Sequence, residues 1–218
     1  RARFKNHMSA ARVRALVGNR ARVVEEPVGR NTAPAVGYAA LLSQAAGAED
    51  GMAVLAADHL IPDLAVFQKD LEAALALAES GDRLVTFGVP PTRPETGYGY
   101  LERGAPLGPG RAFAVAAFRE KPDLATAGRY VAGGNHFWNS GMFCWRPRVV
   151  LEALDRHRPA LAQGVRSLAK AAKAFVAGHP AVSGDALEEI FPGLESVSID
   201  YAVMEKATNA AMIEAAFE

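Results

Sequence analysis

The stretch from residue 51 to residue 89 constrains the fold most. GMAVLAAD (51–58) is a continuous apolar run ending in a carboxylate, the pattern of a strand buried on both faces. Leu64, Phe67, Leu71 and Leu75 then recur at helical spacing between Pro62-Asp63 and about Ser80, and RLVTFGV (83–89) reads as the next strand. The rest of the chain keeps alternating. ARVVEE (21–26), the run around 98–103, RAFAVAAF (111–118), FWNSGMFCW (137–145) and 212–217 read as strands. Helices are expected from Thr32, which can cap one with Pro34 in its first turn, and from Asp123 to Ala132, ended by Gly133-Gly134. Others are expected around 147–157, 159–177 and 185–190, and from a Ser198 cap through Lys206. Strands alternating with helices predict an α/β domain with a mostly parallel sheet flanked by helices. No repeat or linker interrupts the pattern, so a single domain over 1–218 is the economical expectation.

In such sheets ligands bind beyond the carboxyl ends of the strands. The polar residues just after strands are therefore the ones to weigh. Asp58 followed by His59 is either a turn or capping aspartate, or a carboxylate held where a hard divalent cation meets phosphate oxygens. Glu120-Lys121-Pro122 follows a strand. It is either surface decoration, or a carboxylate for vicinal sugar hydroxyls beside a cation for a phosphate. Trp138-Asn139-Ser140-Gly141 interrupts an apolar strand, as a satisfied bulge or as a place of close approach. The glycines of Glu95-Thr96-Gly97-Tyr98-Gly99-Tyr100 serve either tight turns or a ligand. Asp200 sits where it would complement a helix dipole. Finally, Gly29-Arg30-Asn31-Thr32 forms a polar cluster at the mouth of an alanine-rich helix, with no partner evident in the sequence.

Charge narrows the classes. Lys plus Arg (24) equals Asp plus Glu (24), so no global field points to nucleic acid or to an anionic membrane. No apolar run approaches the ~18 residues of a membrane span. A single cysteine, Cys144, excludes an intrachain disulfide framework; it fits a reducing, cytoplasmic setting and reads as a buried structural thiol. The basic segment 1–18 superficially suggests a transit peptide. An amphipathic helix with Phe4, Met8, Ala11 and Ala15 on one face is the simpler reading. The histidines show no zinc spacing, and G-x-S-x-G, H-E-x-x-H, Walker-type and D-x-D motifs do not occur.

Taken in order, EPVGRNTAPA, AADH, PETGYGYLE, FREKPD, FWNSGMF and SIDYAVMEK resemble the blocks of the mannose-1-phosphate guanylyltransferases, within the sugar-nucleotidyltransferase superfamily. The resemblance runs over residues 23 to 206. It implies a Rossmann-like sheet and a reaction of mannose 1-phosphate with GTP, giving GDP-mannose and pyrophosphate with Mg²⁺. It also implies direct attack on the nucleotide α-phosphorus, with no covalent enzyme intermediate. By that resemblance Glu26, Pro27, Gly29, Arg30, Asn31, Thr32 and Ala33 would lie beside guanine, and Asp58 would match the metal aspartate. Tyr98, Gly99, Glu120, Asn139 and Ser140, with Asp200, would line the mannose pocket, and Lys121 would hold its phosphate. Asp58 and Lys121 would be the catalytic pair. A homo-oligomer is compatible with this reading.

Two pieces expected from the family are missing: an N-terminal glycine-rich Gly-Gly-x-Gly-Thr-Arg loop, and a C-terminal Trp-Ser-Asp-type segment with a second metal carboxylate. The expectation is that these residues are part of a longer protein. Three other readings stay open: a nucleotidyltransferase for another sugar phosphate or base, a non-catalytic sugar-nucleotide-binding homologue, and a metal-dependent glycosyltransferase on a similar fold. The absent D-x-D counts against the last.

Overall fold

The computed structural model describes residues 2–3 and 10–217. They group into two compact units. The first comprises Arg1–Ala48 and Leu154–Ile199, the second Glu49–Ala153 and Asp200–Glu218.

In the first unit, strand β1 (Ala2–Arg3) pairs in parallel with β2 (Arg22–Val23), and helix α1 (Ala10–Val17) lies between them in sequence. Of the expected amphipathic face, Phe4 and Met8 lie outside the described residues. Ala11 and Ala15 are exposed, and Val13 and Val17, four apart, form the buried edge instead. A β-branched pair buries more apolar area than two alanines, so burial selects that face. Helix α2 (Thr32–Ala45) is buried along Ala33, Val36, Tyr38, Ala40, Leu41 and Leu42. The later helices of this unit pack around it.

In the second unit the sheet contains β3 (Met52–Val54), β4 (Leu84–Val89), β5 (Tyr100–Pro106), β6 (Ala112–Arg119), β7 (His136–Trp145) and β8 (Ala210–Glu214). Their order is β3-β7-β4-β8-β6-β5, with β7 also paired to β5. The pairings therefore run from β4 through β8, β6, β5 and β7 back to β4. Helix α3 (Leu64–Glu79) starts at Asp63, whose carboxylate accepts from the Ala65 and Val66 amides, and lays Ala74 and Ala78 on Val85, Phe87, Met142 and Cys144. Helix α4 (Leu124–Gly133) is capped by Asp123 and closed by left-handed Gly134, as its sequence predicts. Helix α5 (Pro147–His157) carries the chain out of this unit. Helices α6 (Pro159–Ser167), α7 (Ala169–Val176) and α8 (Pro180–Ile190) complete the first.

The α/β class and the central sheet with helices packed on it are as expected. The sense of pairing is not. Among the described residues only β4–β8 is parallel in this sheet, and the other pairings are antiparallel. β5 and β6 are joined by a short turn, which permits only a hairpin, and β7 inserts between β3 and β4 in the opposite direction. β3 is also shorter and more open than GMAVLAAD suggested, because among the described residues it pairs with β7 alone.

No helix among the described residues is long and apolar enough to cross a membrane. Cys144 is fully buried, and its apolar setting pushes the thiol up to about 12. It is a structural residue, as its sequence context indicated.

Candidate active site

The second unit gathers most of the expected sugar-side residues just before β5, at the end of β6 and in the middle of β7. The last ladder pair of β6 joins Arg119 to Tyr100, so Glu120 is the first residue beyond it. Its side chain is only 11% exposed and lies 3.2 Å from the Lys121 ammonium. Gly99 makes room for it: a Cβ there would stand 2.5 Å from Glu120 Oε2 and 3.4 Å from the Asn139 Cβ. The obstructing atom is the end of a side chain, so an added methyl would displace Glu120 rather than unfold the sheet. Gly99→Ala is accordingly expected to leave the melting temperature within about 3 °C of wild type, on the scale of a sub-kcal/mol change, while turnover falls at least tenfold. Calorimetry and steady-state kinetics on the same preparation check both.

Lys121 has φ +47°, a left-handed conformation that is uncommon outside glycine. Holding it costs on the order of 1–3 kcal/mol, which the surrounding contacts must supply.

β7 contains the bulge that its Asn-Ser-Gly insertion foreshadows. Gly88 opposes Asn139 while Thr86 opposes Phe143, so one residue of β4 faces three of β7. Gly141 takes φ +66° and the Ser140 hydroxyl accepts from the Met142 amide at 3.2 Å. The Asn139 side chain is fixed on both sides. Its Oδ1 accepts from Thr86 Oγ1 (2.9 Å) and the Gly141 amide (3.3 Å), and its Nδ2 donates to Asp200 Oδ1 (2.9 Å). An amide N–H on one side and a carboxylate on the other leave one consistent orientation. The bulge is thus both satisfied internally and oriented toward Asp200.

Asp200 opens a π-helical turn, Asp200–Met204, closed by the Glu205 amide donating to the Asp200 carbonyl at 3.0 Å. Burial, and then the Glu120 charge, push its carboxyl up to about 6, against the opposing hydrogen bonds and Lys121. Ionisation therefore costs more in the folded protein than in the unfolded chain. The stability gained from protonation is complete below the ordinary carboxyl range, near 3.8, and is lost as pH rises through about 6. Asp200→Asn, which cannot ionise, is expected to gain stability relative to wild type between pH 4 and pH 6.5 and then hold that margin. Paired thermal melts across the range measure it, and a flat difference would overturn the assignment.

Two other expected residues stand apart from this cluster. Tyr98 is exposed and packs edge-on against the Trp138 ring at 5.3 Å. Asp58 lies four residues beyond β3, exposed, and makes no hydrogen bond or ion pair within the described residues. No group of three or more potential metal ligands occurs among those residues. A single open carboxylate suits a hard cation that takes most of its ligands from phosphate and water.

The segment 26–33 belongs to the first unit. Asn31, not Thr32, caps α2: its Oδ1 accepts from the Thr32 amide at 2.9 Å. Thr32 Oγ1 instead accepts from the Ile199 amide at 2.8 Å, and the Ala33 amide donates to the Val197 carbonyl at 3.0 Å. Both amides at the helix mouth are therefore engaged within the chain. Arg30 donates to the Pro192 carbonyl, and its Nε is buried without a partner. Burial pushes the Glu26 carboxyl up to about 7. Pro27 and Gly29 are exposed. Asn31 has φ 61° and ψ −163°, a region essentially reserved for glycine. Among the described residues, each unit thus holds one non-glycine residue in a costly backbone conformation, Asn31 in the first and Lys121 in the second.

Sequence reasoning missed Thr86 and Glu205. Thr86 is fully buried in an apolar strand, and a lone hydroxyl inside RLVTFGV was the available signal. Glu205 lies within SIDYAVMEK, but no signal in that block singles it out.

Residues 4–180 match the family model described as nucleotidyl transferase. The xanthan biosynthesis protein XanB of Xanthomonas campestris pv. campestris (strain B100) is 44% identical over 207 residues, covering 94% of this chain and 42% of the relative. The mannose-1-phosphate guanylyltransferase of Escherichia coli (strain K12) is 43% identical over 198 residues, with 88% and 40% covered. The chain thus spans about two-fifths of the length of these curated relatives. A crystal structure from Thermus thermophilus, described as a mannose-1-phosphate geranyltransferase, superposes with a TM-score of 0.82 at 34% identity, covering all of this chain and 59% of the other.

Proposed function

This chain belongs to the nucleotidyl transferase family, and we propose that the protein carrying it transfers GMP from GTP to mannose 1-phosphate. The observation that carries the reading is the contiguous set Gly99, Glu120, Lys121, Asn139 and Asp200. It offers two carboxylates for sugar hydroxyls and one flexible cation for a phosphate.

In this mechanism an oxygen of the sugar phosphate attacks the α-phosphorus of GTP in line. The bond from that phosphorus to the β-phosphate bridge breaks, and pyrophosphate leaves with the electron pair. The attacking oxygen is already ionised at neutral pH, so no general base is required, and positioning with charge neutralisation carries the rate. Glu120 and Asp200 accept from the mannose hydroxyls, and Asn139, locked by Thr86, fixes Asp200. Lys121 offsets the charge of the sugar phosphate. Asp58 would hold Mg²⁺ together with phosphate oxygens and water. When bound, the ion supplies positive charge against the α-phosphate and the departing pyrophosphate. On the first unit, Glu26 and the 29–33 segment would read the guanine. Since the Thr32 and Ala33 amides are engaged, side chains and the remaining backbone groups do that reading. A cytoplasmic location fits the single buried thiol, Cys144.

The test offers the full-length protein mannose 1-phosphate with GTP, UTP or dTTP. Equimolar GDP-mannose and pyrophosphate from GTP alone is the expected result. Comparable turnover with UTP or dTTP would reassign the base, and GDP-mannose binding without any turnover would identify a non-catalytic homologue.

A further inference from the structure

We propose that Glu205 is a positioning residue for the sugar-phosphate half of the site, acting through the backbone of Glu120; this rests on the function proposed above. Glu120 N–H is the first amide beyond the β5–β6 ladder, where no strand partner is available to it. Glu205 Oε1 accepts it at 3.2 Å. The very next residue is Lys121, held at φ +47°. A strained conformation persists only where neighbouring contacts over-determine it, and a side-chain acceptor held on the preceding amide is such a contact. Glu205 is itself held by the π-helical turn, whose closing bond runs from the Glu205 amide to the Asp200 carbonyl. That turn consequently reaches both candidate segments: Asp200 grips Asn139 in the β7 bulge, and Glu205 grips Glu120 at the end of β6. Asp200 opens the turn and Glu205 follows its last residue, so the two side chains leave it at opposite ends.

What matters in this role is an acceptor of the right reach. Glu205→Gln keeps the reach and the acceptor but loses the charge; Glu205→Asp keeps the charge but is one carbon short. In the full-length protein Glu205→Asp and Glu205→Ala are expected to raise KM for mannose 1-phosphate at least tenfold. KM for GTP should stay within threefold, and Glu205→Gln should stay within threefold of wild type in both. Equal losses for Gln and Asp would show that reach alone does not account for the effect and would overturn the proposal, as would an Asp variant with wild-type kinetics. The wild-type control separates the premise: if it forms no GDP-mannose, the functional reading fails before any variant is compared. Should Glu205→Ala not fold, the Gln and Asp pair still decides.

Discussion

Lys121→Met is expected to lower kcat/KM for GDP-mannose formation by about 10²–10³, the usual cost of removing one preorganised charge-stabilising group. Lys121 is the cation in contact with Glu120, and its charge also opposes the upward push on Asp200. On the proposed function, its removal would leave two carboxylates facing the phosphate of the sugar substrate. The loss should appear in kcat as well as in KM for mannose 1-phosphate, because charge builds on the transferring phosphoryl group in the transition state. Lys121 is 57% exposed, so methionine, which keeps much of the aliphatic stem, should alter the melting temperature little. Arginine is not expected to rescue, since a planar fork does not replace a compact, rotatable ammonium. Steady-state kinetics on the full-length variant decide it. A kcat/KM within threefold of wild type would remove Lys121 from the mechanism.

The largest effect on stability is expected at a residue outside the site. Asp70 is 1% exposed on α3. It pairs with the Arg111 guanidinium and accepts the Ala216 amide at 2.7 Å, while Arg111 also donates to the Glu214 carbonyl. One carboxylate therefore ties α3 to the chain on both sides of the end of β8. Asp70→Ala leaves a guanidinium and a backbone amide without their acceptor. Breaking a buried pair costs about 3–5 kcal/mol, and because Arg111 is 45% exposed and can rehydrate, the lower end applies. About 3 kcal/mol corresponds to a fall of roughly 6–12 °C in melting temperature for a chain of this size. Chemical denaturation of both proteins measures it. A loss below about 1 kcal/mol, the range of an exposed pair, would show that this pair is surface decoration.

Asp70 also illustrates where reading the sequence stopped. It sits three residues after Phe67 and four before Ala74, on the buried stripe of α3, where no local signal singles out a carboxylate for burial. Only the return of the chain at residue 216 supplies the partner that permits its burial. Thr86 and Glu205 were hidden in the same way. Their contacts to Asn139 and Glu120 span 53 and 85 residues of sequence. By contrast, Asp123 caps its helix through an amide three residues away, and that cap was legible.

The sequence by itself determined the α/β class, most helix positions, the bulge in β7 and the order of the family blocks. Each is written in local periodicity, or in residue types needed at one backbone position. Tertiary structure alone decided which strand neighbours which, and so, among the described residues, made the sheet mostly antiparallel with β3 at its edge. It also decided that Asn31 rather than Thr32 caps α2, and that Asn31 and Lys121 hold unfavourable backbone angles. The physical reason is common to all of these. Periodicity reports which face of an element avoids water, whereas pairing sense, buried charge and tolerated strain depend on partners that arrive from distant parts of the chain.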